Sequence, residues 1–354
     1  MTTQEAEHIQ SIINNANLPP QVRSRLMTML GRVDNLIKGG NYSEYELIRH
    51  YVEWTTKIPF GTLSRDNLNL EEVKGSLDSK HYGLEDVKAK ILEYLAVLSL
   101  KAKNAHSQSS VRVPILLFLG IQGIGKTTMA KSIAEALGRE FVRISVGGMT
   151  NVHEIRGKSS NLDDASPGQI VKALISTGTM NPVLLLDELD KVSTSGGADR
   201  DVMAALLEIL DPEQNESFVD RYLDFPLDIS KCMFILTANN VGGISTALLD
   251  RIEIVRFTSY NDEDKENIAR NYLLPKVRKE TGLSEEQLVF RDDVWSVIIR
   301  PLGFDAGIRE LERTLRNIAR KVAKQIVDGS VEGAVVLTPD NFRQYIPDDF
   351  GVYA

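Results

Sequence analysis

GIQGIGKTT, Gly120 to Thr128, decides the fold. It lies between an apolar run, PILLFLG (114–120), and a helix-like stretch, TMAKSIAEALG (128–138). It fits G-x-x-x-x-G-K-[ST] in the strand, loop and helix context that this pattern requires, which a fortuitous glycine turn would not supply. Gly120, Gly123 and Gly125 let consecutive backbone amides, Ile124 among them, close around phosphate oxygens, and the start of the helix adds a favourable dipole. Lys126 is then placed to reach β- and γ-phosphates. Thr127 offers a hydroxyl to Mg²⁺, with Thr128 beside it in the first turn.

Outward from this loop, EFVRISV (140–146), PVLLLDE (182–188) and CMFILTAN (232–239) are short apolar runs ending in polar residues, separated by helical segments. That is the pattern of parallel strands buried on both faces, hence a doubly wound α/β domain with ligands at the carboxyl ends of its strands. Asp187 and Glu188 stand at such an end. Asp187 suits Mg²⁺ or its water, and Glu188 suits polarisation of an attacking water, because phosphoryl transfer needs positioning and charge neutralisation. Asn239 ends another strand, where it either orients that water or simply makes a turn. Arg251 in ALLDRIE is either a trans-acting arginine or half of a solvated pair with Asp250. Arg309 in GIRELER either leans onto the nucleotide or pairs with Glu312 one turn on.

The flanks are helical. Val22, Leu26, Met29, Val33 and Leu36, with Pro20 before and Gly39-Gly40 after, predict a helix over 20–38. A second runs from Ser43 to near Pro59, and a third follows HYGLED with Val87, Ile91, Leu95 and Leu98 on one face. The first two are free to pack on a partner, on the next domain, or only on each other. Beyond about Asn261 the strands cease and four amphipathic stretches reach about Val327. The expected layout is an N-terminal helical region (1–75), a large α/β domain (76–257) and a small all-helical lid (258–354).

Composition excludes several classes. A net charge of −8 and a pI near 5.3 argue against nucleic acid as the main partner, which would call for a basic excess. MTTQEAEHIQ lacks the basic region and apolar core of a signal peptide, and no apolar run reaches the roughly 18 residues of a spanning helix. The expected setting is reducing, aqueous and cytoplasmic, with no membrane partner. Cys232, the single cysteine, reads as a buried strand residue, and the histidines show no zinc-ligand spacing.

Taken together the motifs resemble the ATPase module of Lon-type AAA+ proteases. The likeness rests on YVEW (51–54), IPFG (58–61), HYGLEDVKAKILEYLAV (81–97), GIQGIGKTT, RISVGGM (143–149), EIRG (154–157), NPVLLLDELDK (181–191), TANN (237–240), ALLDRIE (247–253) and GIRELER (307–313). The run ALLEILDPEQNESFVDRYLDFPLDIS (205–230) is the most specific, because generic phosphate-loop ATPases do not share it. The resemblance implies a hexameric ring that binds ATP or ADP with Mg²⁺ and passes movement to loops in a central channel. It makes Asn239 a sensor of the γ-phosphate, Arg251 the finger offered to a neighbour and Arg309 a second sensor on the lid, and it puts Tyr82 near the adenine. Ile121 and Gln122 replace two prolines usual in the family, a change that leaves the amide cradle intact. No proteolytic domain with a Ser-Lys pair lies in these residues, so the expected activity is that of an ATPase: either the ATPase part of a longer protein, or a stand-alone relative that lost or never had the peptidase or serves a separate one.

A further departure is RGKSSNLDDASPG, 156–168. The aromatic-aliphatic-glycine step with which the family grips polypeptide falls here on Leu162, Asp163 and Asp164. Leu162 retains part of the apolar contact, and a ring of such loops would gather carboxylates around one channel, repelling acidic segments and favouring cationic ones. The alternatives are a polypeptide motor, a nucleotide-dependent scaffold whose loop recognises a partner without moving it, and a solvated loop with no substrate role.

Overall fold

The computed structural model describes residues 4–103, 115–162, 164–192, 197–300, 307–331 and 333–346. Three helices come first: α1 (Gln4–Asn15), α2 (Pro20–Lys38) and α3 (Tyr42–Thr56). Pro20 sits in the first turn of α2, where a missing N–H leaves nothing unsatisfied, and Val22, Leu26 and Val33 are buried. Asn41 caps α3 through the backbone N–H of Glu44. These helices do not pack only on each other. Buried Tyr51 of α3 donates to the carbonyl of Leu223 at 2.6 Å and its ring lies 5.7 Å from that of Tyr222, while Arg25 of α2 reaches Asp224. Their inner face thus carries polar groups whose partners lie in the α/β region, which apolar periodicity does not reveal.

The chain continues through α4 (Leu70–Lys80), α5 (Glu85–Lys103), β1 (Ile115–Leu119), α6 (Lys126–Leu137), β2 (Phe141–Ser145), α7 (Val152–Arg156), α8 (Gln169–Thr177) and β3 (Val183–Asp187). Then come α9 (Gly197–Leu210), a short β4–β5 hairpin (Phe218–Val219 with Pro226–Leu227), β6 (Met233–Ala238), α10 (Thr246–Leu249) and β7 (Ile252–Arg256). The main sheet has the order β2-β3-β6-β1-β7, and β3 pairs in parallel with both β2 and β6. Every residue of β1, β3 and β6 is buried. Each fully buried aliphatic side chain there contributes roughly 1.5–3 kcal/mol of transfer free energy, which is why these three strands read as unbroken apolar runs. The edge strand β7 interrupts buried Ile252 and Val255 with exposed Glu253 and Arg256, so the same criterion misses it.

The C-terminal region is helical: α11 (Asp262–Ile268), a π-helical turn (Ala269–Leu273), α12 (Leu274–Thr281), α13 (Val294–Ile299) and α14 (Arg309–Val327). The expectation that strands cease there needs correction. β8 (Leu288–Phe290) and β9 (Val335–Leu337) pair in parallel, with Leu288 and Leu337 fully buried in a core built around Trp295, Leu315 and Ile318. Three residues are too few for a strand to show a period.

The chain divides into two compact units. The first comprises 1–69, 94–117 and 133–254, and the second 70–93, 118–132 and 255–354. The division cuts across the boundaries read from the sequence, because the phosphate loop groups with the C-terminal helices. Among the described residues no helix is long and apolar enough to cross a membrane.

Candidate active site

In the second unit, β1 delivers the chain to Gly120 and α6 begins at Lys126. Gly123 (φ +81°) and Gly125 (φ +94°) occupy backbone conformations that L side chains rarely adopt. A Cβ at Gly120 would lie 2.7 Å from the carbonyl oxygen of Phe257, so the glycines answer to space as well as to angle. The Lys126 ammonium donates to the carbonyl oxygens of Gly120 and of Ile121 (2.9 Å), which holds it over the loop. Thr128 donates to Gly125 O at 2.9 Å, and the half-buried Thr127 stands beside it in the first turn.

The loop is tied to the start of α14. Ile308 N donates to Gly123 O at 3.0 Å, and a Cβ on Gly123 would approach that of Arg309 at 3.3 Å. Arg309 is therefore beside the phosphate loop. Its ordinary alternative, a pair with Glu312, is not formed; Glu312 instead pairs with Lys276 (2.9 Å) and Arg316 (2.8 Å). Tyr260 donates to Ile124 O at 3.1 Å, and burial pushes its hydroxyl up to about 12. Tyr82 accepts from Asn267 at 3.2 Å and packs on the lid core. Next to it, His81 Nε2 meets Ser132 Oγ at 2.8 Å, and burial, with Lys88 and Lys80 adding, lowers the imidazole to about 4. Tyr260 and Asn267 carry no motif and were missed in the sequence.

In the first unit, Asp187 closes β3 with 6% of its surface exposed. One carboxylate oxygen accepts from Arg143 Nε at 2.6 Å and the other from the Thr237 hydroxyl. Thr237 Oγ1 also accepts the backbone N–H of Glu188 at 3.0 Å, so one hydroxyl fixes both acids. Glu188 is in the left-handed region (φ +63°), a strained conformation that clusters at functional sites, and its carboxylate pairs with Lys191 at 2.8 Å. Asn239, half-buried, lies two residues beyond Thr237. Sequence reasoning named Asn239 and missed Thr237 and Arg143. The register Leu186↔Leu236 sets Thr237 level with Asp187, but only the strand order reveals that neighbour. Arg251 is exposed after α10, donating to Ala247 O at 2.7 Å and lying 3.7 Å from Asp211 instead of pairing with Asp250. Cys232 is buried, and burial pushes its thiol up to about 12.

The loop 156–168 also belongs to the first unit. Leu162 is 44% exposed, and Asp164 pairs with Lys158, which holds its carboxyl below the usual range. Asp163 lies outside the described residues. The Lys158 pair offsets one of the two carboxylates on which the expected charge of the loop rests.

Two segments match family models. Residues 116–260 match the ATPase family associated with various cellular activities, and residues 279–335 match the Lon protease AAA+ ATPase lid domain. The chain is 42% identical over 342 residues to a Lon protease of Dictyoglomus thermophilum, covering 97% of this chain and 42% of that protein. It is 44% identical over 330 residues to Lon protease 2 of Thermus thermophilus, covering 92% and 40% respectively.

The chain is a Lon-like AAA+ ATPase module. It is also 45% identical over 304 residues to a mitochondrial Lon protease homolog of Dictyostelium discoideum, covering 86% of this chain and 31% of that one. The module thus spans about two fifths of the length of the first two of these curated relatives. Nucleotide binding follows from the AAA assignment. The phosphate loop, both acids, Asn239 and Arg251 fall within the matched ATPase segment, whereas Arg309 falls within the matched lid.

Proposed function

We propose that this module couples hydrolysis of Mg²⁺-bound ATP to remodelling, unfolding or translocation of polypeptide, as the ATPase part of an ATP-dependent protease working in a hexameric ring. The observation that carries the reading is the pair of acids at the end of β3. Asp187 has both oxygens engaged by donors, and Glu188 is held in a strained conformation by the same Thr237 that fixes Asp187. Such an array suits a reaction in which positioning and charge stabilisation do most of the work.

The donor set fits Mg²⁺. Thr127 would offer a hydroxyl oxygen and Asp187 a carboxylate oxygen, the hard donors that this ion takes. When bound, the ion neutralises charge on the phosphate oxygens. Lys126 and the amides of 123–128 hold the phosphates, Glu188 orients the attacking water, and Asn239 and Arg309 sense the γ-phosphate. Tyr82 borders the adenine. Arg251 serves a neighbouring subunit, its exposure leaving it accessible to one. Domain boundaries near 75 and 257 remain the division we favour for function.

One observation favours a second reading. The substrate loop has no aromatic residue and pairs Asp164 with its own Lys158, as a loop that recognises a single partner without threading it would tolerate. ATP turnover by the purified chain, with Lys126→Ala as the blank and an unfolded polypeptide titrated in, separates the two. Turnover that rises and saturates supports the motor. Turnover indifferent to polypeptide supports the scaffold, and a search for its partner.

A further inference from the structure

The base of loop 156–168 is held by one buried carboxylate. Asp220 is fully buried, and its Oδ2 accepts the backbone N–H of Gly168 at 2.8 Å. Its Oδ1 accepts those of Tyr222 at 2.8 Å and Leu223 at 3.4 Å. Gly157, at the other end of the loop, lies so close that an added Cβ would strike Oδ1, and its φ of +77° excludes most side chains independently. The two stems also meet directly, since a Cβ on Gly168 would strike the carbonyl oxygen of Ile155. Lys158 N to Ser166 O at 3.1 Å and Arg221 N to Arg156 O at 2.7 Å complete the closure. Both ends of the loop therefore rest on Asp220.

Asp220 is itself part of a turn that the N-terminal helices hold. Asp224 N donates to Asp220 O at 2.8 Å, and Asp224 has φ +54°, unfavourable for a residue other than glycine. Arg25 of α2 holds it there through the carbonyl oxygen (2.5 Å) and Oδ2 (2.9 Å). Tyr51 of α3 holds the preceding residue through Leu223 O, and the Arg25 guanidinium lies 5.6 Å from the centre of the Tyr51 ring. A continuous set of hydrogen bonds thus runs from α2 and α3, through 222–224, to Asp220 and both stems of the loop.

We propose that Asp220 is the positioning residue of loop 158–166, and that Tyr51 and Arg25 carry its hold to the N-terminal helices, so that a load on α2 or α3 changes how firmly the loop stands. The functional meaning rests on the reading of that loop as the element that meets polypeptide. Neither Asp220 nor Tyr51 is among the residues proposed above to hold nucleotide. The relay is a packed network with identified partners, the kind through which coupling of this size is transmitted.

Hydrogen exchange of the whole chain, read by peptide, is the test. Asp220→Asn keeps the shape and removes the charge, so exchange across 158–168 should rise roughly tenfold, the loss expected when a charge-assisted hydrogen bond weakens. Tyr51→Phe removes one hydroxyl far from the loop in sequence. It should speed exchange in 158–168 severalfold while β3 and α9 stay as they were. Unchanged exchange in 158–168 with Asp220→Asn overturns the positioning role. Faster exchange confined to 222–225 in Tyr51→Phe overturns the relay. Should Asp220→Asn fail to fold, Tyr51→Phe and Arg25→Met, at a half-buried position, still decide the relay.

A second readout is the polypeptide concentration giving half-maximal stimulation of turnover, which should rise in Tyr51→Phe with basal turnover unchanged. If polypeptide fails to stimulate even the unaltered chain, the motor reading falls, whereas the exchange result still decides the hold on the loop.

Discussion

Thr237 is the sharpest place to test how the acids are organised. Its side chain is almost wholly buried, donates to Asp187 and accepts from Glu188 N at 3.0 Å. Thr237→Val keeps the shape and removes both bonds, leaving an acceptor on Asp187 and a donor on Glu188 without this partner. At about 1–3 kcal/mol for each buried polar group so orphaned, the loss should be about 2–6 kcal/mol. Thr237→Ser keeps the hydroxyl and removes one methyl, which costs about 1 kcal/mol. The catalytic consequence follows from the left-handed backbone of Glu188, since a strained conformation relaxes when its anchor is removed. Displacement by about 1 Å reduces rate on the order of a hundredfold. Steady-state ADP release should therefore fall about a hundredfold in the valine variant and by only a small factor in the serine variant. Binding of a fluorescent ATP analogue should change little in either. Equal turnover in the two variants would refute the claim that this hydroxyl positions the acids.

Four further outcomes are expected. Glu188→Gln should retain nucleotide binding and stop turnover, and unchanged turnover removes Glu188 from the mechanism. Arg251→Ala should assemble yet fail to turn over, and mixing it with Glu188→Gln should restore part of the activity, because some interfaces then pair an intact Glu188 with an intact Arg251; no recovery on mixing argues against a role in trans. Gly157→Ala drives a methyl into Asp220 Oδ1 and adds about 1–3 kcal/mol for an alanine held at φ +77° and ψ 167°, a region that is essentially glycine's, so polypeptide stimulation and the thermal midpoint should both fall. A midpoint equal to that of the unaltered chain contradicts the close approach. His81 has a folded value near 4 against an ordinary 6.5, so its contribution is present in full above pH 6.5 and is lost as pH falls toward 4. This amounts to about 3 kcal/mol at most, and His81→Gln should flatten the fall of the thermal midpoint between pH 7 and pH 5. Parallel slopes in the two proteins would exclude His81 as the cause.

The features legible in the sequence and those hidden from it divide along a physical line. Strands β1, β3 and β6 are buried on both faces, so each is written as an apolar run, and the groups at their ends follow from their position. The bounds of α2 are legible because a proline and two glycines mark them. By contrast β7 mixes buried and exposed residues on both faces, and β8 and β9 are three residues each, so none of them leaves a pattern. The site shows the same division. Lys126, Asp187 and Glu188 are legible because their chemistry depends on neighbours in the chain. Thr237, Arg143 and Tyr260 act across strands or between distant segments, and only strand order and packing bring them to their partners.

Loop 156–168 carries that division furthest. Its own composition supplies only an exposed Leu162 and a carboxylate that Lys158 already offsets. The residues that decide how it stands lie elsewhere: Asp220 more than fifty positions beyond Gly168 in the chain, and Tyr51 and Arg25 in helices that precede the phosphate loop. Such a loop is free to vary at its tip while Gly157, Gly168 and Asp220 fix its base, because Leu162 and Asp164 of the tip are exposed and the base meets a buried carboxylate with three backbone donors. On the proposed reading of 156–168 as the element that meets polypeptide, an aromatic-free tip is compatible with a firmly held base, because the two rest on different residues.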